Sequence, residues 1–330
     1  MSAAQYDVVG IGNAIVDVIA RADDAFIAQR KIAKGAMTLI DEAQAEALYA
    51  AMPPGIESSG GSAANTMAGL ASLGGAGAFF GKVRSDQLGK VFAHDIRAIG
   101  VSFDSKPASA GPSTARCLIL VTPDAQRTMS TYLGACVNLG PEDVDEAVVR
   151  NARVTYLEGY LWDPPRAKEA FVKAAKVAHA AGRKVSLSLS DAFCIGRHRA
   201  EFRDLVAGHV DILFANESEI TSLYETESFD AALQEVRGKC EIACLTRSEK
   251  GSLIVAGDEV HVIDAERVGP VVDTTGAGDL YASGFLYGWC HGQGLARAGR
   301  IASLAAAEAI SHVGARPQTS LKQLVKQKLD

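Results

Sequence analysis

Along most of this chain, short apolar β-branched runs alternate with amphipathic stretches of helical period, and that alternation restricts the fold more than any other feature. Residues 154–157, 184–189, 210–214 and 242–246 read as strands. Residues 164–181 and the segments starting at Glu217 and Phe229 read as the helices among them. Strands at 252–256 and 259–263 and helices at 278–290 and 295–312 complete this part. Nearer the N-terminus, helices are expected at 41–52 with Asp41 as N-cap, at 62–73 closed by Gly74-Gly75, and at 87–99 closed by Gly100. Repeated strand–helix units build a mostly parallel sheet with helices on both faces, a three-layer α/β/α core. Segments 15–41 and 106–137 break the alternation. The second holds strands at 117–121 and 127–132 joined by Thr122-Pro-Asp-Ala-Gln126, which reads as a hairpin. We therefore expect a core of residues 1–14, 42–105 and 138–330, and a small β-sheet lid of residues 15–41 and 106–137. A chain of 330 residues suits one large core with an appended piece, since single cores stop growing near ~250–300 residues.

Composition excludes several classes. Hydrophobic residues make up 48% of the chain and charged residues 22%, a globular balance. Aromatics are scarce while Ala and Gly are abundant, which suits close packing of helices on a sheet. The net charge is −6 and no basic tract stands out, which argues against a nucleic-acid partner. Cys117, Cys136, Cys194, Cys240, Cys244 and Cys290 form no Cys-x-x-Cys pair, so buried reduced thiols are expected. No apolar run reaches 18 residues and no basic-then-apolar leader opens the chain, so a cytoplasmic protein without a membrane partner is expected. Monomer and homodimer both stay open.

Gly10-Ile11-Gly12 follows an apolar strand and invites a dinucleotide-binding reading. That fingerprint needs a small residue at position 15 and then a helix. Position 15 is Ile, and Ile15-Val16-Asp17-Val18-Ile19 reads as more strand. A plain strand-end turn, or a turn that delivers Asp17 to a substrate, are the readings left.

The stretch with most chemistry is Asp273-Thr-Thr-Gly-Ala-Gly-Asp279, opening an apolar helix. The first backbone N–H groups of a helix lack partners and its dipole favours negative charge there. Gly276, Ala277 and Gly278 let the backbone approach an anion and stabilise charge on a transferred phosphoryl group. Asp279 would repel a resting phosphate, but it makes sense as a base that deprotonates an attacking hydroxyl. The plain alternative is a glycine-rich turn with an ordinary first-turn acid. No Gly-x4-Gly-Lys-Ser/Thr loop occurs, since Gly81-Lys82 is followed by Val83.

Two further clusters fit phosphotransfer. Gly60-Gly-Ser-Ala-Ala-Asn65 opens a helix with a free backbone and an amide one turn in. Asn216-Glu-Ser-Glu219 follows a buried strand, at the edge where ligands bind in open α/β sheets. Asn216 and Glu219 share a helix face and suit a hydrated Mg²⁺ held through water; an N-cap with a first-turn acid is the alternative.

These clusters, in this order, resemble the ribokinase-like carbohydrate kinase family known as PfkB. "GGSAANTMAGLASLGG" at 60–75 looks like its first signature, "DTTGAGDLYASGF" at 273–285 its second, and "NESE" at 216–219 its Asn-x-x-Glu motif. Within that family, "GNAIVDV", "VDILFANESE" and "LSLSDAF" resemble adenosine kinases most. The resemblance implies a ribokinase-like fold with a β lid, ATP and Mg²⁺ as cofactors, and transfer of phosphate to the primary hydroxyl of adenosine, giving AMP in purine salvage. It also implies roles. Asp17 accepts hydrogen bonds from two ribose hydroxyls, Gly61 and Asn65 complete the clamp, and Asn13 lies close by. Arg127 matches an arginine that contacts transferred phosphate. Thr246, Gly251 and Thr275 join Asn216 and Glu219 on the ATP side.

Two departures stand out. The aromatic run after the family's glycine here reads Tyr160-Leu161-Trp162, so a base-stacking ring is displaced or absent. The loop from Thr246 to Gly251 has Ser248 where a glycine is common. A sugar kinase acting on ribose, fructose or a related sugar is the alternative. A nucleoside-binding protein with vestigial catalysis would gain nothing from Asp279.

Overall fold

The computed structural model describes residues 4–124 and 126–330. Its elements begin with β1 (Tyr6–Ile11), β2 (Ile15–Arg21), α1 (Asp24–Gln29), β3 (Met37–Leu39), α2 (Glu42–Ala51) and β4 (Ile56–Gly60). They continue with α3 (Ser62–Leu73), β5 (Gly77–Phe80), α4 (Gln87–Ala98), β6 (Val101–Ser102), β7 (Ala115–Val121) and β8 (Arg127–Tyr132). Next come α5 (Glu146–Arg150), β9 (Ala152–Glu158), α6 (Pro165–Ala180), β10 (Lys184–Ser188), α7 (Ala192–His209) and β11 (Ile212–Asn216). The chain closes with α8 (Glu217–Tyr224), α9 (Phe229–Val236), β12 (Ile242–Thr246), β13 (Ser252–Ala256), β14 (Glu259–Ile263), α10 (Ala277–Cys290), α11 (Leu295–Ala309) and α12 (Leu321–Leu329).

Nine strands form a large sheet in the order β14-β13-β12-β11-β10-β9-β1-β5-β6. It is parallel except at β12-β13-β14. Side chains alternate between its faces, so Val9, Ile11, Leu157 and Leu213 pack under α5 to α9, while Val8, Val154, Tyr156 and Phe214 pack under α3, α4, α10 and α11. The result is the three-layer arrangement expected from the alternation. Five strands form a second, mixed sheet in the order β3-β8-β7-β2-β4. β7 and β8 are the expected antiparallel hairpin.

The small sheet differs from the expected boundaries at one place. Residues 56–60 fall in the range assigned to the core, yet they pair antiparallel with β2 as an edge strand. Ile-Glu-Ser-Ser-Gly carries no apolar alternation, and its conformation comes from the partner strand. The Gly10-x-Gly12 turn leads into β2 and not into a helix, which removes the dinucleotide reading. Among the described residues no helix is long and apolar enough to cross a membrane. The six cysteines are free thiols, and all except the half-buried Cys240 are buried.

Helices α3 and α10 pack unusually close. A Cβ on Gly69 would lie 2.5 Å from Leu280 Cδ1 and 2.8 Å from Ser283 Cβ. A mid-helix Gly→Ala change ordinarily adds up to about 1 kcal/mol of stability. Here Gly69→Ala is expected to do the reverse, lowering the urea unfolding midpoint and the turnover together.

Candidate active site

Five adjacent parallel strands end on one side of the large sheet. β1 leads to Asn13, β9 ends at Glu158, β10 at Ser188, β11 at Asn216 and β12 at Thr246. They meet a cavity of about 1510 Å³ that the small sheet borders. Every site residue expected from the sequence lines this cavity: Asn13, Asp17, Gly61, Asn65 and Arg127; Asn216, Glu219, Thr246 and Gly251; and Thr275, Gly276, Ala277, Gly278 and Asp279. They come from distant parts of the sequence: Asp279 is bonded to Ser62 and Asn65, 217 and 214 residues away.

Asp279 sits in the first turn of α10 and is held from α3. Ser62 Oγ donates to its Oδ1 at 2.6 Å and Asn65 Nδ2 to its Oδ2 at 3.1 Å. Burial pushes its pKa up to about 6, and these two donors pull against that. Gly276 adopts φ +79°, the left-handed region, and a Cβ there would lie 2.6 Å from Ala315 Cβ. Among the described residues the N–H groups of Gly278 and Asp279 have no protein acceptor, so they are open to an anion.

The register of the small sheet places Asp17. It pairs with Cys117, and Cys117 pairs with Thr131. With a period of two, Ile15 and Asp17 share a face with Cys117, Ile119, Met129 and Thr131. All six line the cavity. Asp17 is thus a carboxylate in an apolar wall. Burial raises its pKa to about 6, Arg316 and Arg127 lower it, and Asp279 adds to the rise.

Arg127, from the same face, is paired with Asp273 at the start of the glycine loop. Asp273 also accepts from Thr275 N at 3.0 Å, Thr275 Oγ1 at 2.7 Å and Gly314 N at 2.9 Å. Burial opposes its charge, but those donors and Arg127 outweigh it and hold its pKa low. Arg127 Nε is buried without a partner.

Asn216 and Glu219 form a reciprocal capping box. Asn216 Oδ1 accepts from Glu219 N at 2.8 Å, while Asn216 N and Nδ2 donate to the carboxylate at 2.9 and 2.6 Å. Burial drives the Glu219 pKa to about 7, helped by Asp191 and Asp279. Ser248 adopts φ +52°, the left-handed region, which is why a glycine suits that position. Leu161 and Trp162 lie in the core, where Trp162 packs on Phe171 and Phe202. Tyr160 remains at the cavity, 41% exposed, and Phe193 joins it at 75%.

Sequence reasoning missed Glu158 and Arg316. Glu158 is buried, forms no ion pair among the described residues, and accepts from Asn13 Nδ2 at 2.6 Å, Asn13 N at 3.3 Å and Ala63 N at 2.8 Å. Burial carries its pKa to about 7 against those donors. An acid closing an apolar strand before Gly159 was the available signal. Arg316 had none; only the fold brings it to Asn65.

The pfkB family carbohydrate kinase pattern matches residues 54–322. The chain belongs to that family. A relative in Halopiger xanaduensis, described as an ATP-dependent ribose-1-phosphate kinase, is 30% identical over 79% of this chain and 83% of its own length. The solved structure of adenosine kinase from Sinorhizobium meliloti is 55% identical, covers 98% of this chain and 99% of that one, and superposes with a TM-score of 0.90. That of a probable sugar kinase from Rhizobium etli is 54% identical over 98% of both chains, with a TM-score of 0.91. This pfkB-family chain is an ATP-dependent kinase, and its two sheets are those of the ribokinase-like fold.

The glycine loop of this pfkB kinase separates two effects. A Cβ at Gly278 would meet no atom within 4 Å, whereas one at Gly276 is strained and blocked. Gly278→Ala is expected to leave the melting temperature within about 2 °C of wild type and to cut turnover at least about tenfold, because the methyl occupies the anion's space. Gly276→Ala should lose both, as thermal melts beside an ADP-release assay will read.

Proposed function

We propose that this kinase transfers the γ-phosphoryl group of ATP to the primary hydroxyl of adenosine, giving AMP. The names of the two solved structures described above point to a nucleoside and to a sugar, so the choice rests on the cavity. The carrying observation is the wall around Asp17. Ile15, Cys117, Ile119 and Met129 surround one carboxylate there, and Tyr160 and Phe193 expose rings to the same space. A free sugar is polar on every side and leaves that apolar surface unmatched. A nucleoside offers vicinal hydroxyls to Asp17 and a flat base to the apolar and aromatic surfaces.

In this reading Asp17, Gly61 and Asn65 grip the ribose, with Asn13 beside them. Asp279 accepts the proton of the attacking hydroxyl as the bond to phosphorus forms. The free N–H groups at Gly278 and Asp279 face the charge on the transferred group, and Arg127, with one N–H still unpartnered, adds a cation near it. Thr246, Gly251 and Thr275 border the ATP side. The small sheet acts as a lid that keeps water from the phosphoryl group.

The acidic side chains also fit Mg²⁺. Among the described residues no three or more His, Cys, Asp or Glu form a metal cage. Glu219, Asp191 and Asp279 nevertheless line the same cavity, and the charges of the latter two add to the burial that raises the Glu219 pKa. Such a site suits a cation that brings its own water and phosphate ligands, as Mg²⁺ does. Asn216 and Glu219 would hold that shell through water, and the ion would offset phosphate charge.

An ADP-release assay with Mg-ATP tests the reading against adenosine, other nucleosides, ribose and fructose. Adenosine is expected to exceed the free sugars at least about a hundredfold in kcat/KM; turnover of a sugar with none of adenosine would sink it. Asp279→Asn should lower kcat by about 10³-fold while calorimetry still detects adenosine. Because the base works unprotonated, kcat of the wild type should fall with acidity below about pH 6.

A further inference from the structure

The loop after α11 reaches back to the site and is fixed at three points. Glu308, fully buried, accepts from Gln318 N at 3.0 Å, Thr319 N at 2.9 Å and Thr319 Oγ1 at 3.0 Å. Gly314 N donates to Asp273 Oδ2 at 2.9 Å. Ala315 packs against the backbone of Gly276. The next residue, Arg316, is therefore presented from a braced segment.

Its guanidinium joins three elements. Nη1 donates to Asp95 Oδ2 of α4 at 2.9 Å, Nη2 to Ser59 Oγ of β4 at 2.6 Å, and Nε faces Asn65 Oδ1 of α3 at 3.5 Å. Asp95 is itself tied to Ser59 N at 2.7 Å, which locks the far side of the fork. An amide whose oxygen faces a cation must turn its nitrogen the other way. For Asn65 that direction is Asp279, 3.1 Å from Nδ2. Asp17 lies against Gly60, the residue after the Ser59 that Arg316 binds, so the guanidinium is near enough to favour the charged form of Asp17; the second cation there, Arg127, is already paired with Asp273.

We propose that Arg316 is a positioning residue of the transfer reaction, orienting the Asn65 amide toward Asp279 and keeping a fixed positive charge beside Asp17. The inference rests on the roles given above to Asp17 and Asp279. Arginine is the side chain the position requires, because its three acceptors are met from three separate nitrogens of a planar fork, whereas an ammonium's donors all leave one nitrogen.

The test is steady-state kinetics across pH for wild type, Arg316→Met and Arg316→Lys, with whichever acceptor the wild type phosphorylates. The charged groups facing Asp17 are Arg316, Arg127 and Asp279, with the Cys117 thiol beside them. Arg316→Met is expected to lower kcat/KM for the acceptor roughly tenfold to a hundredfold. KM for ATP should stay within about twofold. The acid limb of kcat/KM should move to higher pH, because Asp17 loses a cation that favours its charged form. Arg316→Lys keeps the charge, so its acid limb should stay at the wild-type position while kcat falls.

Variants that lose thermal stability alone, with wild-type acceptor kinetics and an unmoved acid limb, would overturn the proposal. So would an acid limb displaced equally by Lys and Met. Should Arg316→Met fail to fold, the Lys variant decides by the same two readouts. A wild type that phosphorylates a free sugar and no nucleoside would end the nucleoside reading, and the ratios between variants would still judge Arg316.

Discussion

The close approach of α3 to α10 is the contact on which the site depends. Each helix begins at a glycine, Gly61 and Gly276, and each supplies half of one hydrogen-bonded group: Ser62 and Asn65 from α3, Asp279 from α10. Gly69 removes the side chain that would hold the axes apart, and Gly284 and Gly288 do the same between α10 and α11. The abundance of small residues in the composition is therefore a packing device that sets a distance at the site. Dispersion between close backbones replaces the larger apolar side chains absent from those faces.

The electrostatics follow from what surrounds that contact. Glu158 and Glu219 are buried, Asp17 and Asp279 are half-buried in the cavity wall, and loss of solvent lifts each toward neutrality. The nearby cations are committed elsewhere: Arg127 to Asp273 and Arg316 to Asp95. The free protein thus holds carboxylates whose charge is only partly offset, a costly arrangement that a structural role alone does not explain. A ligand with hydroxyl donors at Asp17, and a cation shared with phosphates near Glu219, would relieve it.

Much of this was legible in the sequence. The helices at 62–73 and 217–224 carry their caps in plain view, with Gly74 at φ +92° after one and Asn216 before the other. The strands of the large sheet were readable because buried parallel strands are short, apolar and punctuated by glycine. What escaped has a common cause. β4 is an edge strand whose conformation is imposed by β2, and α7 is interrupted at His198, with φ −130°, so no helical period runs through it. Arg316 lies 251 residues from the amide it faces. Local pattern carries cap and core, whereas a contact made only after the sheets assemble leaves no local mark. The aromatic run 160–162 shows the same limit: one ring goes to the cavity and one to the core, and only packing decides which.

The path of the chain between the two sheets has a mechanical meaning. β1 passes into β2 through residues 12–14, and β4 passes into α3 through Gly61 at φ +96°. Those crossings carry Asn13 and Gly61, two residues that line the cavity. With the links from β6 to β7 and from β8 onward, they make the joint about which the small sheet would swing against the large one. Grip and hinge are then one piece of backbone: whatever is held there stiffens the axis on which the cover rotates, and whatever loosens that axis loosens the hold.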